Sequence, residues 1–367
     1  MKGAFSQGPF FLYIIKMSNK VNSKLENKIY GGLINSSDSF FIYNSIKNDK
    51  TPSLIVTSNG KQSHGVALEI STFSKEIASR LIYIPETDEM PYDEVDSSLS
   101  YSSKKNFKLY SLIDNKEKIV VTSIKNLHKK VINKEILKNY SLNIKLNNYL
   151  NINELNLKLK SLNYKRVSEV LYVGDYSIRG SIIDIFPGGY EVPFRIDLND
   201  TQVETISPFS LETQISDINT LIDKIIIVPL SDVIVDKNTI KKFRYNFRSM
   251  FEGNPQDDSN YVNFSNEIVP QGFNNFFPIM YDNTSVIFDY LDNIKKAFIF
   301  DNYHELTYEY KSYIDERYEQ SCKHNKNIIN PDLLFLEPDS IIKKLNNMAI
   351  IQIYKEKGIS SAVKNIS

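Results

Sequence analysis

The chain has 367 residues, of which 41% are hydrophobic, with 44 Lys and Arg against 44 Asp and Glu. That length suits roughly two or three domains with sizeable cores, and the zero net charge excludes a global basic field, so any nucleic-acid contact needs a local patch. Cys322, the single cysteine, can form neither an internal disulfide nor a cysteine-based metal site, and it suits a reducing cytoplasm. At the N-terminus, Phe10–Ile15 is an apolar run after Lys2. It is too short for a signal-peptide core, and no small-residue cleavage site follows. Residues 1–24 therefore read as an extension, disordered or with Met17 as the real start. No other stretch approaches the roughly 18 apolar residues of a membrane-spanning helix.

From Lys28 the pattern alternates strand and helix. Ile29–Leu33 reads as a strand and Ser36–Ile46 as a helix capped by Ser36 or Ser37. Ser53–Thr57 (SLIVT) fits a buried parallel strand. Val66, Leu68, Ile70, Phe73 and Ile77 recur at roughly helical spacing. Leu81–Ile84 reads as a strand, 97–113 as a helix and Ile119–Ser123 (IVVTS) as another strand. Strands alternating with helices predict an open, mostly parallel α/β sheet. A phosphate-binding version of that sheet needs a glycine-rich loop and a lysine at the start of a helix. Gly31-Gly32-Leu33-Ile34-Asn35-Ser36-Ser37 has no lysine. Asn59-Gly60-Lys61-Gln62-Ser63 has a Gly–Lys pair but no upstream glycine. No nucleotide cofactor is expected.

Pro85–Asp96 is crowded with acids: Asp88, Glu89, Asp93, Glu94 and Asp96. Catalytic carboxylates need a defined separation in a low-dielectric setting, so the loop reads as solvated surface. Farther on, Asn151 and Glu154 form an N-x-x-E cap, with Leu150 and Leu155 placed as a staple. Leu155, Leu159 and Leu162 then line one helical face. Lysines outnumber acids across 128–173, which reads equally as a solvated face or a contact surface.

Residues 174–217 are the most firmly patterned stretch. Gly174–Asp175 and Pro187–Gly188–Gly189 are turn chemistry. Val192, Phe194, Ile196 and Leu198 alternate with Glu191, Pro193, Arg195 and Asp197, which sends the apolar set inward and Arg195 and Asp197 outward. Arg179, beside Gly180, sits at a strand end. Gly174, Arg179, Gly180, Asp184, Phe186, Pro187, Glu191, Pro193, Arg195 and Asp197 fall on a pattern that resembles the UvrB-interaction-type domain. That domain is shared by the excinuclease component UvrB and the N-terminal part of bacterial transcription-repair coupling factors. UvrB carries an intact phosphate loop and a long tyrosine-rich hairpin, and this chain has neither, so the resemblance sides with the coupling factors. Pro85–Asp96 is similar to their W-E-T-L-P-Y-D segment, without the tryptophan. Phe243, Arg244, Phe247, Arg248, Phe251 and Glu252 also follow their pattern, with the three phenylalanines expected to pack in the core.

What the resemblance implies is an α/β fold: a degenerate P-loop NTPase-like (UvrB/helicase-like) parallel sheet with an inserted small α+β domain. The expected divisions are 25–127 and 216–330 for the α/β domain, 128–215 for the insert, and 331–367 for a linker and truncated start of a next domain. Ile225–Val228 is expected to return to the α/β domain, and Ala297–Phe300 to be its last strand. By resemblance the insert binds the excinuclease component UvrA in nucleotide-excision repair, with Arg179, Arg195 and Asn199 as contact residues. Asn199 stands near where the coupling factors often have an aromatic residue. For the arginines an internal ion pair with Asp184 or Asp197 remains open. By the same resemblance, RNA-polymerase binding and ATP-dependent DNA translocation belong to a full-length parent. DNA contact by this span is expected to be weak, and the four scattered histidines and absent nucleophile motifs predict neither metal nor catalysis. The alternatives are a diverged UvrB-type ATP-dependent DNA-damage enzyme and a non-functional gene fragment.

Overall fold

The computed structural model describes residues 15–16, 28–31, 33, 36–87, 89–93, 98–113, 115 and 117–354. Asp88, Glu94, Asp96, most of the 1–24 extension, Gly32, Ile34 and Asn35 of the first glycine loop, and 355–367 lie outside the described residues.

The chain opens with β1 (Ile15–Lys16), β2 (Lys28–Gly31), α1 (Ser37–Ile46), β3 (Ser53–Thr57), α2 (Gly60–Phe73), α3 (Lys75–Arg80), β4 (Leu81–Tyr83), α4 (Leu99–Ile113), β5 (Ile119–Ser123), α5 (Ile124–His128), β6 (Lys130–Val131) and α6 (Lys134–Tyr140). A second unit follows, with β7 (Leu142–Lys145), α7 (Ile152–Ser161), β8 (Lys165–Arg166), β9 (Asp175–Arg179), β10 (Ile182–Ile185), β11 (Phe194–Asn199), β12 (Gln202–Pro208) and β13 (Lys224–Ile227). The chain then runs through α8 (Lys237–Met250), α9 (Ser259–Ser265), β14 (Ser285–Val286), β15 (Lys296–Phe300), α10 (Tyr303–His324), α11 (Pro331–Leu334), α12 (Pro338–Asn346) and β16 (Ala349–Tyr354).

The main sheet has the order β1-β2-β16-β15-β3-β5-β4 and is parallel except for β1. SLIVT and IVVTS are buried at every position, as expected of strands covered on both faces. The helical run after β3 divides into α2 and α3 at Ser74, whose extended backbone and side chain cap the second helix. β15 is not the last strand. β16 enters between β2 and β15 and buries Ile350 and Ile353, so part of the expected linker belongs to the main sheet.

A second, separate core gathers Ile144, Leu155, Leu159, Leu162, the apolar face of the sheet β12-β11-β10-β9-β8, and Ile225, Ile227 and Leu230. The expected return of β13 to the α/β domain does not occur. It pairs antiparallel with β7 instead, Ile225 opposite Ile144, and closes the insert's core. The insert rests on α4: Phe107 and Tyr190 meet edge to face at 5.0 Å, and Asn106 donates to the Pro229 carbonyl at 3.1 Å. Gly188 and Gly189 lie where a Cβ would collide with Ser103 and Phe107, and Gly189 has φ of +89°. The turn therefore needs glycine both for its backbone angle and for close approach to the helix.

Candidate functional site

The insert's sheet has two unlike faces because strand side chains alternate. One face buries Tyr176, Ile183, Ile185, Phe194, Ile196, Leu198, Val203 and Ile206 against Leu155, Leu159 and Leu162. Val192 does not join them: β11 begins at Phe194, and Val192 is exposed. The other face carries a polar row. The register sets Ser177, Asp184, Arg195 and Ser207 side by side across four strands.

Asp184 is the centre of that row. Its side chain is 1% exposed, and it holds both arginines. Arg195 grips it with two bonds, Nε to Oδ1 at 2.6 Å and Nη2 to Oδ2 at 2.9 Å. Such forked pairing fixes the guanidinium plane as well as neutralising charge. Nη1 of Arg195 donates to the Gln214 carbonyl at 3.2 Å and to Ser216 Oγ at 3.4 Å, and its guanidinium lies 5.1 Å from the Phe209 ring centre. The bond to Asp184 pushes the Arg195 pKa above its already high ordinary value, so the residue is charged at any working pH. Arg179 also pairs with Asp184 and donates to the Ser168 carbonyl at 3.4 Å, while its side chain is 49% exposed. Of the two open readings, the internal partner is therefore Asp184 rather than Asp197, which accepts from Thr205 Oγ1 at 2.8 Å. Arg195 is covered by the 210–217 loop, and Arg179 keeps one side open to solvent.

Asn199 is exposed at the end of β11, opposite Gln202. Gln202 in turn bridges to Tyr149. The segment holding Tyr149 is tied to β12 by backbone bonds from Asn147 to Val203 and from Leu150 to Thr201, at 2.9 and 2.7 Å. Residues directly opposite share a face, so Asn199, Gln202 and Tyr149 form one row on the polar side, with Asn199 and Tyr149 exposed and Gln202 half-buried between them. Tyr149 is 80% exposed. Sequence reasoning missed it; the only signal was an aromatic side chain between two asparagines and a helix cap, and its neighbour across the sheet is more than fifty positions away.

A phosphate loop would sit at the end of β3, the strand between β15 and β5. Only Ser58 and Asn59 separate β3 from α2. Asn59 Oδ1 accepts from the Gln62 N–H at 3.0 Å, and Gln62 Oε1 accepts from the Ser58 N–H at 3.0 Å. A Cβ on Gly60 would lie 2.7 Å from the Glu86 Cβ, so a carboxylate side chain stands against the helix N-terminus, where a phosphate would bind. Glu86 pairs with Lys125 at 3.0 Å. The positive helix end already faces an anion of the chain itself.

The other described acids of the 85–96 loop are paired as well, Glu89 with Lys129 at 3.6 Å and Asp93 with Arg317 at 3.1 Å. Among the described residues no group of three metal-ligating side chains comes together. The lysine-rich stretch 128–173 does not form a single face. Lys129 donates to Thr87, Lys130 to the Asp332 carbonyl, Lys134 pairs with Asp292 and Lys160 with Glu267.

Comparison with known proteins fits this geometry. Residues 142–232 match the family model of the UvrB interaction domain, the same span that closes the second core. The fold is thus an α/β module with a mostly parallel sheet and a small inserted domain, and that insert is similar to the UvrB interaction domain. Within that class the chain resembles transcription-repair coupling factors, in the manner of their N-terminal module. It is 26% identical to that of Haemophilus influenzae over 343 residues, covering 92% of this chain and 29% of the relative. It is 28% identical to that of Rickettsia bellii over 348 residues, covering 90% and 30%, and 26% identical to that of Escherichia coli over 215 residues, covering 58% and 18%. The chain thus spans about three tenths of the length of the first two relatives. Among the described residues no helix is long and apolar enough to cross a membrane.

Proposed function

We propose that this span recruits the excinuclease component UvrA to repair coupled to transcription, through the polar face of the insert's sheet. The observation that carries the reading is the match of 142–232 to the UvrB interaction domain, over a sheet whose polar face keeps exposed groups beside a rigid ionic centre. Arg179, Asn199 and Tyr149 touch the partner. Arg195 is a positioning residue, which fixes Asp184 and hence Arg179. The functional unit is then 142–230, the extent of the second core, in place of 128–215. RNA-polymerase binding and ATP-driven translocation, implied for a longer protein of this kind, are not assigned to this span.

Titration of the chain with purified UvrA tests the proposal. Arg179→Ala, Asn199→Ala and Tyr149→Ala are each expected to weaken binding, Arg179→Ala by about tenfold or more, as for a truncated interfacial anchor, with unchanged thermal melting. Parent-like binding by all three variants rejects this face. The competing reading, a diverged ATP-using DNA-damage enzyme, requires nucleotide at the end of β3. Calorimetry with ATP is expected to show no saturable binding, because Glu86 and Asn59 occupy that helix end.

A further inference from the structure

The helix α8 packs Phe243 and Phe247 into the main core at 0% and 1% exposure, among Tyr261, Phe264, Phe273 and Phe276. At 3.6 residues per turn, Lys237, Lys241, Arg244, Tyr245 and Arg248 fall within an arc of about 100° on its outer side. All five are exposed. Among the described residues none of the four cations forms an ion pair. Arg244 donates to the Tyr261 hydroxyl at 3.4 Å, and the Arg248 guanidinium lies 5.5 Å from the Tyr261 ring centre, so the two arginines are oriented by a buried ring and keep their charge outward. The acids alongside are already engaged, Glu267 by Lys160 and Asp282 by Lys242.

These residues frame two grooves. One, of about 730 Å³, is lined by Lys237, Lys241, Arg244 and Arg248 with Tyr245 and a single acid, Glu267. The other, of about 560 Å³, has Ile136, Tyr140 and Met280 in its lining. Tyr245, 74% exposed, and Lys241 stand between the two and line both. A balanced chain has thus gathered four cations that form no ion pair among the described residues on one side of one helix, over a length of ~16 Å.

We propose that this face of α8 binds single-stranded nucleic acid, with the phosphodiester backbone along Lys237, Lys241, Arg244 and Arg248 and a base stacked on Tyr245. A row of cations is complementary to a row of phosphates. The exposed ring favours a single strand over a duplex or an acidic peptide, since only unpaired bases offer a free face to stack. The surface is separate from the insert's polar face, so it stands or fails independently of binding to UvrA.

The test is fluorescence anisotropy with labelled fifteen-nucleotide dT and U strands, the matching duplex and a polyglutamate peptide, from 25 to 200 mM salt. The expected result is micromolar binding of a single strand, dT or U, at low salt. Its log–log salt slope should be about −3, near 0.7 per neutralised phosphate. Lys237→Glu with Lys241→Glu should lower the affinity by about tenfold or more and flatten that slope. Tyr245→Ala should lower it by about fivefold or more and leave the slope unchanged. These three side chains make no hydrogen bond or ion pair among the described residues, and thermal melting of each variant verifies that folding is intact. Absence of single-strand binding at 25 mM salt overturns the proposal, as do parent-like affinities of these variants. Equal affinity for the duplex or for polyglutamate overturns it too.

Discussion

The insert and the α/β domain differ in how tightly they hold their charges. In the insert, a carboxylate with 1% exposure is held by two arginines, one of them through a fork. The α/β domain keeps a row of cations outside, on α8, and holds Lys105 against Asp232 at 2.5 Å and Lys129 against Glu89 at 3.6 Å, each through a single contact, while two of its fully buried groups bond to backbone carbonyls. Lys118 donates to Leu112 and Tyr290 at 3.1 and 2.8 Å, and His128 Nδ1 donates to Leu336 at 3.0 Å. A cation count therefore says little about a binding surface, since the arginines singled out by pattern are partly tied to structure and the unpaired ones lie elsewhere.

The sharpest test of this contrast is Asp184→Ala. It leaves Arg195 half-covered without its counter-charge, and breaking a buried pair from one side costs about 3–5 kcal/mol. Denaturant unfolding should show a loss of that size, and a loss under 1 kcal/mol would mean that the ionic centre is dispensable.

The α/β domain should answer to acid where the insert's ionic centre does not depend on a histidine. Burial holds the His128 pKa down from 6.5 to about 4. Above pH 6.5 the ring is neutral in both folded and unfolded chains. As pH falls from 6.5 to 4 only the unfolded chain takes up the proton, so stability should drop by up to about 3 kcal/mol. His128→Gln should flatten the profile across that window. An unchanged profile would show that His128 is not the sensor.

Arg195→Ala should cost about 2 kcal/mol, less than loss of Asp184 because Arg179 remains as a partner. Arg195→Lys should recover only part of this, since a point charge cannot reproduce the fork. Full recovery by lysine would reduce the pair to simple charge. Sequence alternation alone makes Arg195 an outward residue whose removal is nearly neutral, and the lid of 210–217 over it changes that expectation.

The smallest effects belong to Arg179→Ala and Lys241→Glu. Both side chains are exposed enough that stability should move by about 0.5 kcal/mol or less. Melting curves that coincide with the parent would leave both residues available for partners, and a drop of several degrees in either would assign that residue to the fold.

What the sequence determined by itself is what depends on near neighbours in the chain. The fully buried strands SLIVT and IVVTS lie at their expected residues, and Asn151 caps α7 through the N–H groups of Asn153 and Glu154. The alternation along β11 separates core from polar face. These follow from strand and helix periodicity and from local hydrogen bonding, which a short window contains. Tertiary structure decided the pairings. The strand at 224–227 found β7 rather than the main sheet, β16 entered the main sheet from the far end of the chain, and Asp184 met Arg195 only through the register of β10 and β11. Tyr149 came beside Gln202 and Asn199 in the same way. A strand's pattern records which face is buried but not which strand lies beside it. Partner and register are fixed by the packing of the whole core, and that is why the alternation that turns Arg195 to the polar face was legible in the sequence while its pairing with Asp184 and the place of Tyr149 were not.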